Sequence, residues 1–257
     1  MLLNLSLVEQ QLTTAFVGRR LIHVASAPST QDVARSEAEG GAPEGTVVLA
    51  EEQTAGRGRL GRSWVSPAGT NLYLTLILRP SLERLRSLGI VTPLAVAQAL
   101  EEATGLSPRI KWPNDVLVAG RKLAGVLIDT ELSGQTPGYS LVGIGLNVNL
   151  DVRAVPEIAA IATSVRQELG HEVSREEMLA ALLGHFEALY VKAQRGTAVH
   201  AAWRSRLETL GRQVRVTVGG RVEEGLAEDV DAEGSLILRR ADGSRATIAA
   251  GEVTLRA

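Results

Sequence analysis

The 257-residue chain is 45% apolar and 22% charged, which suits a water-soluble globular protein with room for one large domain and a small module. Its net charge of −2 and pI near 6.1 lack the basic excess of a sequence-independent nucleic-acid binder, so any cationic site must be local. With no cysteine, disulfides, thiolate metal sites and a cysteine nucleophile are excluded, and the four histidines (His23, His171, His185, His200) lack metal-ligand spacing.

The first residues, MLLNLSLVEQQ, have no basic n-region and carry Glu9, which argues against a signal peptide. No apolar run approaches the roughly 18 residues of a membrane span, so a reduced cytoplasm and no membrane partner are expected. Leu7, Leu12 and Phe16 predict a helix over 6–17, and 20–25 reads as a strand. Ser29 and Thr30 follow Pro28 and offer a hydroxyl cap for a helical segment over 32–39 that Gly40 and Gly41 end. That cap is by itself sufficient reason for both hydroxyls.

A β-branched strand over 46–50 leads into EEQTAGRGRLGRSWV (51–65), with Gln53 just ahead of the glycines. Gly56, Gly58 and Gly61 satisfy G-x-G-x-x-G, and 56–63 nearly matches a Walker A loop with Arg62 at the lysine position. Both readings need a helix to open there, and Trp64-Val65-Ser66-Pro67 with Gly69 cannot open one. Arg57, Arg59 and Arg62 still suit a phosphate or carboxylate, the plain alternative being a solvated basic turn. Three glycines, three mutually repelling arginines and few anchoring side chains predict a loop that is mobile without ligand.

The stretch 71–79 alternates Leu72, Leu74, Leu76 and Leu78 with other residues, predicting a strand with one fully buried face. Thr92 and Pro93 offer an N-cap and an N1 proline for a helix carrying Leu94, Ala97 and Leu100 and ending at Gly105. Residues 109–149 read as an antiparallel meander with turns at Pro-Asn-Asp, Ala-Gly-Arg-Lys and Gly-Gln-Thr-Pro-Gly. Lys111, Asn114 and Asp115 surround the first turn and Lys122 lies at the second, where a hairpin-tip charge is the structural explanation. Asn147 and Asn149 can satisfy turn backbone or orient a ligand. Ser174-x-x-Glu177 is a capping box ahead of a core helix, a second helix is predicted over 198–210, and 212–257 reads as short strands with hairpins at Gly219-Gly220 and Asp242-Gly243. The expected division is 1–210 and a small barrel at 211–257, which is too small to fold readily alone and should dock on the first part.

GRGRLGRSW at 56–64, KWPND at 111–115, RKLAG at 121–125 and GIGLNVN at 143–149, in this order, resemble the biotin protein ligases (biotin–[acetyl-CoA-carboxylase] ligases) over essentially the whole chain. The resemblance implies an α+β fold, a mixed and mainly antiparallel sheet with helices like a class II synthetase, plus an SH3-like β-barrel. It implies a reaction in which biotin and ATP give biotinyl-5′-AMP and pyrophosphate, after which the biotinyl group passes to a lysine of a biotin carboxyl carrier protein. Lys122 and Arg57 would be catalytic. Ser29, Thr30, Gln31, Gln53, Arg57, Gly58, Arg59, Lys122 and Gly125 would bind biotin, and Arg59, Arg62, Trp64, Lys111, Asn114 and Asn147 would bind ATP, with Trp64 on the adenine. Magnesium is implied by the family and the chemistry, and its ligands are not.

Two departures stand out. Gln31 replaces the asparagine usual in Ser-Thr-Asn, and about 20 residues precede the first strand where DNA-binding members carry a winged helix, which makes an enzyme-only form without a DNA partner the expectation. The oligomeric state is left open, a homodimer included. A lipoate ligase of the same superfamily would share the fold but lack GRGRxGRxW, and a non-catalytic biotin sensor would have no need of Lys122.

Overall fold

The computed structural model describes residues 2–133 and 136–255. In chain order the elements are α1 (Leu5–Gln11), β1 (Leu21–Ala27), α2 (Thr30–Glu39), β2 (Val47–Gln53), β3 (Leu72–Leu78), α3 (Leu88–Thr104), β4 (Arg109–Lys111), β5 (Asp115–Val118), β6 (Arg121–Ser133) and β7 (Thr136–Leu146). Then follow α4 (Val165–Leu169), α5 (Arg175–Gln194), α6 (His200–Arg204), β8 (Gln213–Val218), β9 (Arg221–Val230), β10 (Leu236–Arg239), β11 (Arg245–Ile248) and β12 (Glu252–Leu255). The fold is α+β: a seven-stranded mixed sheet in the order β1-β2-β3-β7-β6-β5-β4, and a five-stranded antiparallel sheet in the order β11-β10-β9-β8-β12. Among the described residues, only the β1–β2 pair of the large sheet is parallel.

Side-chain alternation divides the large sheet into two unlike faces. Leu74, Leu76, Val142, Ile144 and Val126 join α3 and α5 in one continuous core. On the other face α2 packs Ala34 and Ala38 on Val48, Ile77 and Leu141, which covers only part of the sheet. The uncovered part holds the site.

Several sequence expectations are corrected. The first helix ends at Gln11 rather than running to 17, because the amides of Ala15, Phe16 and Val17 all donate to the Glu187 carboxylate of α5 at 2.6–2.9 Å. The helix expected to start at Thr92-Pro93 begins at Leu88 and keeps Pro93 inside it. A run with Leu88, Val91, Leu94 and Leu100 fully buried gains more from burial than the proline loses by giving up one helical hydrogen bond, and Thr92 donates its hydroxyl to Leu88 O at 2.8 Å. The helix expected over 198–210 shrinks to α6, since the chain then straightens to pair with the edge of β4: Ile110 N donates to Arg206 O and Glu208 N to Ile110 O, both at 2.8 Å. All seven residues of β3 are buried, not one face alone, because β3 lies inside the sheet beneath α2 as well as over α3. At the third meander turn, Gly134 and Gln135 lie outside the described residues.

The expected docking of the C-terminal part is present. Trp112 donates its indole N–H to Gly234 O and its backbone N–H to Thr209 Oγ1, both at 2.9 Å, and Val214, Val216, Ala227 and Leu238 belong to the same core as α3 and α5.

Candidate active site

A cavity of about 570 Å³ opens where α2 stops covering the sheet. Its floor is made by Gly125 on β6 and Gly143 and Gly145 on β7, with Gly125 and Gly145 paired across the strands. Glycine is required there by close approach rather than by backbone angle. A Cβ on Gly145 would stand 2.4 Å from Trp64 Cε2, and one on Gly143 would stand 2.8 Å from Gln31 Nε2. Every site residue expected from the sequence lines this one cavity: the Ser29-Thr30-Gln31 group, Gln53, the arginine loop to Trp64, Lys111, Asn114, Lys122, Gly125 and Asn147.

One end is a hydrogen-bonded cradle. Ser29 is the N-cap of α2 as its sequence suggests, its Oγ accepting from Gln31 N at 3.3 Å. Gln53 Oε1 accepts from Thr30 N at 2.9 Å and Thr30 Oγ1 at 3.2 Å, while Gln53 Nε2 donates to Ser66 Oγ at 2.9 Å. Thr75, fully buried on β3, hydrogen-bonds Thr30 Oγ1 at 2.8 Å. Gln31 is 3% exposed; its Nε2 donates to Leu127 O at 3.2 Å and its Oε1 has no hydrogen-bond partner. A buried acceptor left unpaired costs about 1–3 kcal/mol, which a ligand N–H directed at it would recover. Trp64 Nε1 is likewise buried and unpartnered.

The other end is cationic. Lys122 Nζ lies 2.7 Å from Asp115 Oδ1 and 5.3 Å from the centroid of the Trp64 ring. Its backbone is fixed on both sides by the 158–163 segment, with Lys122 N donating to Ile161 O and Thr163 N to Lys122 O. The three loop arginines diverge to separate partners: Arg57 to Asp32 at 2.5 Å, Arg59 to Asn114 Oδ1 at 3.0 Å, and Arg62 to Glu252 on β12. None of these partners is a core contact: they are polar and come from α2, the 112–114 turn and the C-terminal sheet. Burial pushes the Arg59 guanidinium below the usual arginine value, with Asp115 and Glu252 opposing the shift. An anion beside it would relieve that desolvation.

Two asparagines take structural roles. Asn147, 3% exposed, accepts from Asn71 Nδ2 at 3.3 Å and donates to Thr163 O at 3.0 Å, so its amide holds the segment that registers Lys122. Asn149 clamps Val173 through both of its backbone groups. The sequence reading did not assign Asp115, Asp32, Thr75 or Glu252 to the site. Asp115 could have been found from KWPND, but Glu252 lies 190 residues from Arg62 and no local signal joins them.

Residues 24–147 match the Biotin/lipoate A/B protein ligase family and residues 209–256 match the Biotin protein ligase C terminal domain. The chain is similar to the biotin--[acetyl-CoA-carboxylase] ligase of Paracoccus denitrificans, 43% identical over 218 residues that cover 80% of this chain and 88% of that one. It is 36% identical to the bifunctional ligase/repressor BirA of Bacillus subtilis over 237 residues, 90% of this chain and 73% of the relative. Among solved structures, the biotin protein ligase from Aquifex aeolicus in complex with biotin and ATP superposes with a TM-score of 0.79 at 32% identity, covering 93% of this chain and 99% of that one.

Proposed function

The chain belongs to the biotin/lipoate A/B protein ligase family, and from that membership we propose that it joins biotin to ATP and passes the biotinyl group to a lysine of the biotin carboxyl carrier protein of acetyl-CoA carboxylase. The observation that carries this reading is the placement of Lys122 at the cationic end of the cavity, over Trp64 and against Gly125.

In the first step a biotin carboxylate oxygen attacks the α-phosphorus of ATP, the bond to the β-phosphate breaks, and pyrophosphate leaves. Bringing a carboxylate against a polyphosphate is opposed by charge, and fixed cations offset that repulsion best where charge builds up. Lys122 would neutralise the carboxylate and α-phosphate together, with Asp115 holding its ammonium in place beforehand. Arg57 and Arg59 would exchange or share their present partners, Asp32 and Asn114, for anionic oxygens of the reactants. Gln31 Oε1 and the Ser29-Thr30-Gln53 cradle suit the ureido group of biotin, which offers both N–H donors and a carbonyl. Trp64 and the ATP-side residues Arg62, Lys111 and Asn114 would take the nucleotide, and Asn147 would act by positioning.

Magnesium belongs to this reading as the counter-ion of the ATP phosphates, keeping most of its ligands from phosphate and water. No group of three or more histidine or acidic side chains suited to a metal occurs among the described residues, and Asp115 is the carboxylate beside Lys111 and Asn114 that such an ion would meet. In the second step the carrier amine attacks the acyl carbonyl, AMP leaves, and an amide forms. A cytoplasmic setting follows from the need for ATP and the carrier, and the net charge of −2 supports a protein without a DNA partner. Among the described residues no helix is long and apolar enough to cross a membrane. Self-association is open to sedimentation measurements.

The test is to incubate the protein with biotin, Mg·ATP and a biotin carboxyl carrier domain and weigh the carrier. A gain of one biotinyl mass on one lysine is expected, and an unmodified carrier with both substrates present would refute the reading.

A further inference from the structure

Ser66 is 6% exposed and does not line the cavity, yet its hydroxyl links Gln53 of the cradle to Trp64. Its Oγ accepts from Gln53 Nε2 at 2.9 Å and donates to Trp64 O at 3.0 Å, and the Ser66 carbonyl accepts from Gln53 N at 3.2 Å. Hydrogen count fixes the direction of this relay. Thr30 N is a backbone donor, so the Gln53 atom 2.9 Å from it must be the acceptor Oε1, which turns Nε2 toward Ser66. An amide nitrogen only donates and a carbonyl only accepts, so Ser66 Oγ receives from Gln53 and gives its one hydrogen to Trp64. Thr30 Oγ1 closes the other side in the same way, receiving from Thr75 Oγ1 and donating to Gln53 Oε1.

Gly56 shows how closely these atoms converge. A Cβ there would stand 2.4 Å from Trp64 O, 2.8 Å from Ser66 Oγ and 3.1 Å from Gln53 Nε2, while Trp64 N donates to Gly56 O at 2.8 Å. The first glycine of the arginine loop is therefore required by the close approach of the relay. We propose that Ser66 is a positioning residue of the biotin cradle, an inference that rests on the proposed function. It touches no substrate and acts through Gln53, engaging one Nε2 hydrogen and leaving the other for an acceptor of the ligand in the cavity that Gln53 lines. Gln53 is only half buried, so without Ser66 its amide end is free to turn and has to be ordered when ligand binds. Ordering one such side chain weakens a ligand by roughly 2–12-fold. The alternative is that the bond from Ser66 Oγ to the carbonyl two residues back shapes a turn and nothing more.

The test titrates biotin calorimetrically into the whole chain without nucleotide, for the wild type, S66A and S66C. Nitrogen-15 relaxation of the Gln53 side-chain amide, assigned by its absence in Q53A, is followed in the same proteins. No biotin binding by the wild type would defeat the proposed function itself, which separates that failure from this one. With binding present, S66A should bind biotin roughly 2–12-fold more weakly. S66C should match it, because a thiol nearly keeps the volume but is a weak donor and acceptor. The Gln53 amide should be as ordered as the backbone in the free wild type, mobile in both free variants, and ordered again with biotin. Wild-type biotin affinity in the variants, or a Gln53 amide equally ordered in all three free proteins, would overturn the proposal and leave Ser66 as a turn residue. S66C carries the same decision if S66A does not fold. A mobile Gln53 amide in the free wild type would overturn the proposal without any variant.

Discussion

Lys122 and Asp115 form an ion pair of 2.7 Å at a point where β5 and β6 fall out of register between Val116 and Leu117. The irregularity sets the two charges side by side at the cavity. Replacing Lys122 by alanine should leave biotin binding nearly intact and lower kcat by about 10²–10³-fold, the effect of removing one preorganised charge from the transition state. Asp115→Asn, which keeps the shape but frees the ammonium, should lower kcat by less. Steady-state kinetics with biotin affinity measured separately decide this, and normal turnover in the Lys122 variant would remove Lys122 from the chemistry.

Trp64 and Gly145 should behave as one unit. A Cβ at Gly145 would overlap the indole, so Gly145→Ala must displace the ring as Trp64→Ala deletes it. Both should weaken ATP binding by about 1–3 kcal/mol if the indole stacks on adenine, and biotin binding by less. Calorimetric titrations with each substrate check this. Unchanged ATP affinity in both variants would put the base elsewhere.

Behind the site, Glu51 is 2% exposed and accepts from Arg175 at 2.8 Å, Leu3 N at 2.6 Å and His23 at 2.9 Å. Burial alone would raise its carboxyl, but the Arg175 and Leu3 hydrogen bonds outweigh it and hold the group below its ordinary 4.5. A depressed value means that the unfolded state binds more protons between the two values, so this stability is complete above about pH 4.5 and is lost as pH falls through the folded value. Urea midpoints should therefore fall below that pH, and less steeply in Glu51→Gln. Arg175→Ala should cost about 3–5 kcal/mol at neutral pH by leaving Glu51 buried without its cation.

The arginine loop carries positive φ at Leu60 (56°); Arg57 and Arg62 are each held by one carboxylate at the protein surface, and Arg59 by the part-buried Asn114 amide. Exposed pairs of this kind stabilise by about 0–1 kcal/mol, too little to hold three glycines closed. Cleavage by an arginine-directed protease at Arg57, Arg59 or Arg62 should be fast in the free protein and slow with biotin and ATP. Glu252→Ala should speed cleavage of the free protein further. Equally slow cleavage without ligand would mean a preformed loop.

Local chemistry made much of this legible. Ser29 caps α2 as a hydroxyl after Pro28 suggests, and the expected residues, those in the four motifs and Ser29, Thr30, Gln31 and Gln53 outside them, all line one cavity. What escaped was set by distant partners. Pro93 looks like a helix start until the buried apolar run before it is seen packed on the sheet, and the 198–210 helix is cut short by β4, an edge needing a partner some 95 residues earlier in the chain. Asn147 lines the cavity as its motif suggests, but the bonds of its amide to Asn71 and Thr163 are a pairing that no spacing rule contains. Glu252 reaches Arg62 only once the C-terminal sheet has docked.

The central claim is that this cavity activates biotin as its adenylate, and pyrophosphate release from Mg·ATP, measured with biotin and separately with lipoate, tests it most directly. Release that depends on biotin, is absent with lipoate and disappears in Lys122→Ala is the predicted result. Release supported by lipoate and not by biotin, or by neither, would contradict it.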